Sequence, residues 1–152
     1  MTRTQRVLSA FLTLLGGVVI CVSTVPKRSI SASAANQSDI ERGRYLAEEV
    51  AKCSECHTAR NEQGELRQDS WLRGAPIWIQ PVAPIRNWAD RAPALAGLPS
   101  FTDEQAERVL EQGTGPEGEA LRPPMHTYHM NRADAKAIVA YLKSLPRGTP
   151  TE

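Results

Sequence analysis

The sequence predicts a small all-α domain. Two stretches open on a capping box and then repeat apolar residues at helical spacing, and a third such stretch lies near the C-terminus. Between them lies a proline-dense segment that forbids a long helix or a central strand.

The chain has 152 residues with 18 basic and 17 acidic side chains. Arg3 and Arg6 precede an apolar run from Val7 to Val25. This is the layout of a secretory n-region and h-region. Small residues at Ala32, Ser33, Ala34 and Ala35 place a cleavage site after Ala34 or Ala35. The run is also just long enough to stay in a bilayer as an anchor, with Arg3 and Arg6 favouring a cytoplasmic N-terminus. Either outcome exports the rest of the chain. Residues 1–34 are therefore read as a signal peptide or membrane anchor, and residues 35–152 as one domain. Cys21 sits in Val-Val-Ile-Cys, without the small residue that a lipoprotein site needs, and reads as part of the apolar run. The leader carries four of the basic residues, so the remainder has 14 basic against 17 acidic and is mildly acidic. With no basic run and no interleaved aromatics, a nucleic-acid partner is not expected.

The first helix is expected to open at Ser38, with Glu41 three residues on completing a capping box. Ile40, Gly43, Leu46, Ala47, Val50 and Ala51 then recur at helical spacing. Gly43 weakens a helix, so a close crossing by another helix is one use for it.

That helix leads into Cys53-Ser54-Glu55-Cys56-His57. A C-x-x-C-H string is the attachment signature of a c-type haem. Two thiols two residues apart reach both vinyl groups of the porphyrin from one helical turn and form thioethers with them. His57 follows directly and can bring an imidazole nitrogen to the iron. A zinc reading needs four ligands, and beyond the motif there are only Cys21, His126 and His129. A thioredoxin-like redox pair needs a βαβ setting, which is not visible. Export agrees with haem, because attachment to such motifs in bacteria takes place outside the cytoplasmic membrane. A buried porphyrin also gives a small domain the large apolar centre it otherwise lacks.

Residues 58–70 are polar and aperiodic, as in a surface loop. Residues 71–100 hold Pro76, Pro81, Pro84, Pro93 and Pro99 together with Trp71, Trp78 and Trp88. The tryptophans argue for an ordered irregular loop rather than a disordered linker. They are either simple packing or, with Arg73, Arg86 and Arg91, donors to a haem propionate. Thr102-Asp103-Glu104-Gln105 is a second capping box, opening a helix that ends at Gly113. Residues 113–119 form a glycine-rich turn without the G-K-[ST] ending of a phosphate loop. Asn131 caps the last helix, whose stripe is Ala135, Ile138, Val139, Leu142 and Leu145, with Tyr141 alongside.

A methionine thioether suits haem iron in an electron carrier, and Met125 and Met130 are the candidates. Met125 follows Arg122-Pro123-Pro124, whose two prolines stiffen the backbone before it. Met130 abuts the last helix and can serve as packing. His126 and His129 remain as alternative ligands.

From Asp39 to Pro146 the chain resembles the class I c-type cytochromes. The resemblance rests on the helix entering the Cys53–His57 motif, Pro-Pro-Met125, and the terminal Ala-Tyr141-Leu142-Lys-Ser-Leu145-Pro146. More narrowly, Ala92-Pro93-Ala94-Leu95-Ala96-Gly97, the Thr102 helix and Arg122-Pro-Pro-Met125-His-Thr-Tyr128 are similar to the single-haem domains of bacterial dehydrogenase cytochrome subunits. His126 stands where many members have proline. The resemblance implies a small fold of helices and irregular loops wrapped around one covalent haem. Its N- and C-terminal helices would cross, with Gly43 and Tyr45 facing Tyr141 and Leu142. It implies Cys53 and Cys56 as attachment residues, and His57 and Met125 as axial ligands of the iron. It also implies one-electron transfer without bond-making chemistry, exchanged with redox partner proteins (a dehydrogenase, an oxidase or another cytochrome) on the periplasmic side. The competing class is a haem-based sensor or peroxidase-type enzyme, which needs the sixth position open or displaceable.

Overall fold

The computed structural model describes residues 32–147, with side chains from Asn36 onward. The apolar run from Val7 to Val25, Cys21 and the side chains at the expected cleavage sites lie outside the described residues. Among the described residues no helix is long and apolar enough to cross a membrane.

Helix α1 spans Ala32–Tyr45. It therefore includes Ser38, which was expected to cap it. Alanine is the strongest helix former, and Ala32, Ala34 and Ala35 carry the helix past Ser38. A residue with helical backbone cannot take the extended conformation a cap requires. Gln37 and Glu41 instead meet as an i,i+4 pair on its surface at 3.4 Å. The helix does not run into the Cys-x-x-Cys motif as α-helix. It widens into a π-helical turn over Leu46–Val50, closed by the Ala51 N–H on the Leu46 carbonyl at 2.8 Å. Lys52 then turns the chain with a left-handed φ of 52°. A separate turn of helix, α2, holds Ser54–His57.

Helix α3, Asp103–Gln112, begins and ends as the sequence predicts. The Thr102 hydroxyl accepts from the Gln105 N–H, the Gln105 side chain accepts from the Thr102 N–H, and Gly113 takes a left-handed φ of 70° as C-cap. Helix α4, Arg132–Ser144, is capped by the Asn131 side chain accepting from the Asp134 N–H. Leu145 leaves in extended conformation, the conformation favoured before Pro146.

Helices α1 and α4 cross at Gly43. A Cβ placed there would lie 1.9 Å from the Ala137 carbonyl oxygen, so the crossing needs glycine. Tyr45 departs from expectation: it is 57 % exposed, because it faces away from the buried side of α1. Tyr141 is buried and donates its hydroxyl proton to Glu48. Leu72, Ala135 and Ile138 are the most deeply enclosed apolar side chains of the core.

The proline-dense segment is ordered, as expected, and includes a minimal antiparallel ladder. Strands β1 (Ala75–Pro76) and β2 (Arg91–Ala92) pair in the register Ala75↔Ala92 and Pro76↔Arg91. Other backbone bonds fix the segment to the haem motif and the core: Gly74 N–H to the His57 carbonyl, and Leu95 and Ala96 N–H to the Leu72 carbonyl, at 2.8–2.9 Å. With prolines at this density a sheet cannot grow beyond the ladder.

Candidate haem-binding site

The cysteine motif, the proline-dense segment, α3, α4 and the Pro-Pro-Met turn enclose a cavity of about 500 Å³. That is the size of a cofactor pocket. Its walls are mostly apolar, with Leu95, Leu98, Leu110, Ile138 and Leu142 among them. Four predicted site residues, Cys53, Cys56, His57 and Met125, line this one space.

Each motif residue arrives by a local device. The Cys53 N–H bonds the Ala47 carbonyl at 2.9 Å, which docks the motif onto the π-helical turn. The His57 N–H closes α2 on the Cys53 carbonyl at 3.0 Å. Cys53 is buried and Cys56 half-exposed. Burial pushes the Cys53 thiol up to about 11, and burial followed by the neighbouring Glu55 carboxylate raises that of Cys56. A thioredoxin-type pair needs a depressed thiol; this pair has the opposite environment. Among the described residues no three His, Cys, Asp or Glu side chains cluster as a metal site would require.

His57 is buried, and burial pushes its pKa down against the opposing effect of its bond to Pro93. Its ring Nδ1 lies 2.8 Å from the Pro93 carbonyl oxygen. That carbonyl only accepts, so Nδ1 carries the proton and Nε2 keeps its lone pair free. Pro93 was legible only as part of a family-like string; its role as orienter had no signal in composition or spacing.

The second-ligand candidates separate in space. Met125 lines the cavity, held in a turn by its N–H on the Arg122 carbonyl at 3.1 Å. Met130 packs against the hydrophobic core instead, with its N–H on the Leu110 carbonyl. His126 touches the cavity, but it is exposed and its ring lies against Tyr128, centroids 4.2 Å apart. His129 is exposed and is not among the lining residues.

The tryptophans take three different roles. Trp71 packs on the core and donates to Glu48 at 3.3 Å. Trp78 donates to the Glu55 carbonyl at 3.1 Å and is 58 % exposed. Trp88 keeps its indole N–H shielded from solvent without a hydrogen-bond acceptor among the described residues. A buried donor of this kind needs a partner, and Trp88 directly precedes Ala89, which lines the cavity. Of the three arginines considered for a propionate, Arg91 reaches the lining; Arg73 and Arg86 do not. The residues present therefore fit a haem: an apolar slot, two thiols and an oriented imidazole on one wall, a thioether, and a waiting N–H donor close by.

Two further residues were legible only as the ends of the family-like string from Arg122 to Tyr128, without a role. The Tyr128 hydroxyl donates to the Ala51 carbonyl at 2.8 Å, joining the methionine segment to the turn before the motif. Burial raises its pKa well beyond the usual tyrosine range, so it remains a donor. Arg122 donates to the carbonyls of Asn87 and Trp88 at 3.2 and 2.7 Å.

The cytochrome c family model matches residues 40–146. The chain is 36 % identical over 118 residues to the fructose dehydrogenase cytochrome subunit of Gluconobacter japonicus, covering 73 % of this chain and 23 % of that one. It is 33 % identical over 114 residues to a diheme cytochrome c-type protein of Cereibacter sphaeroides, covering 70 % and 35 %. Over 128 residues it is 31 % identical to the cytochrome c subunit of the quinone alcohol dehydrogenase of Gluconacetobacter polyoxogenes, covering 75 % and 26 %. The chain aligns with about a quarter to a third of the length of these relatives. The match runs from α1 through the cavity walls to the end of α4, and by it this chain belongs to the cytochrome c family, as a c-type cytochrome that transfers electrons through haem c.

Proposed function

We propose that this chain is an exported, mono-haem c-type cytochrome that carries single electrons in a respiratory or dehydrogenase-linked chain. Cys53 and Cys56 hold the haem covalently. His57 and Met125 would hold its iron. The observation that carries this reading is the shared cavity, which puts the attachment motif and a methionine from a distant proline-stiffened turn on the walls of one apolar space. A single haem in this domain is supported by its cysteines, of which Cys53 and Cys56 have the attachment spacing.

Haem supplies a ferric/ferrous couple when bound; the chain's own residues do the rest. The Pro93 carbonyl holds His57 in one tautomer. Leu98, Ile138 and Leu142 line the cavity and would keep water from a haem held there. Ligation by both His57 and Met125 would raise the reduction potential relative to two histidines and would leave no position for oxygen or peroxide chemistry. The dehydrogenase subunits among the relatives support a dehydrogenase as electron donor, with a periplasmic location served by the apolar run from Val7 to Val25, cleaved or retained.

The test is expression in a host with haem-c maturation, followed by haem staining and optical spectroscopy. Covalent haem with a ferric sulfur-to-iron band in the far red supports His57/Met125 ligation. Covalent haem without that band would return the sixth position to His126 or to an open site, and with it the sensor or enzyme class.

A further inference from the structure

Between β1 and β2 the chain makes an excursion over residues 77–90 whose base is fixed and whose tip is apolar. The Ile77 N–H on the Asp90 carbonyl at 2.8 Å extends the ladder at one end, and the Ala89 N–H on the Pro123 carbonyl at 2.7 Å ties the returning strand. Ile77, Ala89 and Arg91 line the haem cavity, so both feet of the loop stand on its rim. The loop shows Trp78 near its base and Val82 and Ile85 farther out to solvent: 58 % of Trp78, 47 % of Ile85 and all of the Val82 side chain. Trp78 is not loose. Its N–H is fixed to the Glu55 carbonyl and its ring lies under the Arg60 guanidinium, 4.6 Å from the centroid. That places a rigid, exposed indole beside Cys56, the more exposed of the two attachment cysteines.

Basic side chains outnumber acidic ones around the loop, whereas the domain as a whole is mildly acidic. Arg86, Arg91 and Arg122 stand on or against the loop, with Asp90 as the acid between residues 77 and 91. Arg60 beneath Trp78 is paired with Glu55. Glu119 shares the cavity lining with Arg91 and Arg122; the other acids of α3 and the turn after it are Asp103, Glu104, Glu107, Glu111 and Glu117. Exposed apolar side chains in a polar rim mark interaction surfaces, and tryptophan and arginine dominate their energetics. Such a loop costs solubility unless something covers it.

We propose that the loop carrying Trp78, Val82 and Ile85, with Arg86, Arg91 and Arg122 around it, is the docking surface for a redox partner protein with an acidic rim around an apolar patch. This rests on the haem reading above. The loop's feet stand on the cavity rim, so a partner that covers the loop would lie beside the haem-binding cavity. The positive local field steers the partner in against the negative net charge of the domain.

The experiment uses the haem-loaded protein, accepted only when its spectrum shows covalent low-spin haem; a failure there defeats the haem reading and not the docking one. The reduced protein is mixed in stopped flow with a cupric blue-copper protein chosen for an acidic face. One electron passes, leaving ferric cytochrome and cuprous copper. The expected bimolecular rate falls as ionic strength rises, as for opposite charges. The V82S/I85S double variant, at solvent-exposed positions, slows it by about tenfold with an unchanged spectrum. R86E slows it and flattens the salt dependence. Oxidation by hexacyanoferrate(III), too small to touch the apolar tip, is unchanged in V82S/I85S. A rate within about twofold of the parent in V82S/I85S, or one that rises with salt, overturns the proposal. So does Val82-dependent binding to anionic phospholipid vesicles, which makes the loop a membrane contact. Self-association abolished by V82S/I85S overturns it as well, in favour of a second copy of this chain.

Discussion

The guanidinium of Arg122 donates to the main-chain oxygen of Trp88 over 2.7 Å. With the bond to the Asn87 carbonyl and that from the Ala89 N–H to the Pro123 carbonyl, it clasps the methionine turn to the returning arm of the proline-dense loop. Proline supplies no N–H, so this contact depends on carbonyl acceptors and a long side chain. Arg122→Gln should loosen the turn and leave the rest of the fold intact. The cost is about 1 kcal/mol, discounted for exposure. The expected result is roughly fivefold tighter binding of added imidazole to the ferric protein, read by optical titration. Unchanged imidazole affinity would remove Arg122 from any role in holding the turn.

Met125 and Met130 should separate cleanly. Met125→Ala should abolish the far-red sulfur-to-iron band of the ferric protein. Met130→Ala should keep the band and destabilise the fold by about 2 kcal/mol, as loss of a partly buried methionine does. The reverse pattern would exchange their roles.

Gly43→Ala tests the helix crossing. On an exposed helix this change stabilises by about 1 kcal/mol. Here the added methyl would meet the Ala137 carbonyl carbon at 2.5 Å and its oxygen still closer. Backbone cannot yield as a flexible side chain does, and overpacking of this kind costs about 1–3 kcal/mol or more. Thermal melting of the haem-loaded variant should fall, and a rise would show that α1 and α4 are further apart than Gly43 implies.

Thr102→Ala removes the hydroxyl that accepts the Gln105 N–H and leaves the other half of the capping box. The expected loss is about 1 kcal/mol in denaturant unfolding, with the spectrum unchanged, because α3 forms a cavity wall and supplies no ligand.

Tyr128→Phe deletes the bond to the Ala51 carbonyl and leaves that acceptor unpaired at the π-helical turn. The expected stability loss is about 1 kcal/mol. A sixth ligand more easily displaced by heat should accompany it, since Tyr128 ties the methionine segment to the turn that leads into Cys53. A melt identical to the parent's would mean water replaces the hydroxyl at no cost.

Features encoded within a few residues were legible in the sequence. The helical turn of the Cys53–His57 segment, the Thr102 capping box with its Gly113 stop, the Asn131 cap and the ordered proline-tryptophan loop depend on local geometry and fixed spacing, and the structure places them where the sequence predicts. The start of α1 was misread because Ser38 is a good cap by type, while the alanines before it favour continuing the helix. The π-helical turn left no trace, since one extra residue in a helical turn hardly alters an apolar pattern.

Contacts between distant segments needed the folded chain. The Pro93 carbonyl that orients His57, the acceptor of Tyr128, the clasp of Arg122 and the exposure of Trp78 all join residues far apart in sequence through backbone groups that every residue carries alike. The same holds for Met125 against Met130. Both are thioethers within five residues of one another, and only the direction of the chain after Pro124 puts one on the cavity and the other in the core. Residue type and spacing encode covalent chemistry and helix ends because those are local. Which buried donor finds which carbonyl, and which side chain faces the cavity, is set by how the helices close around it.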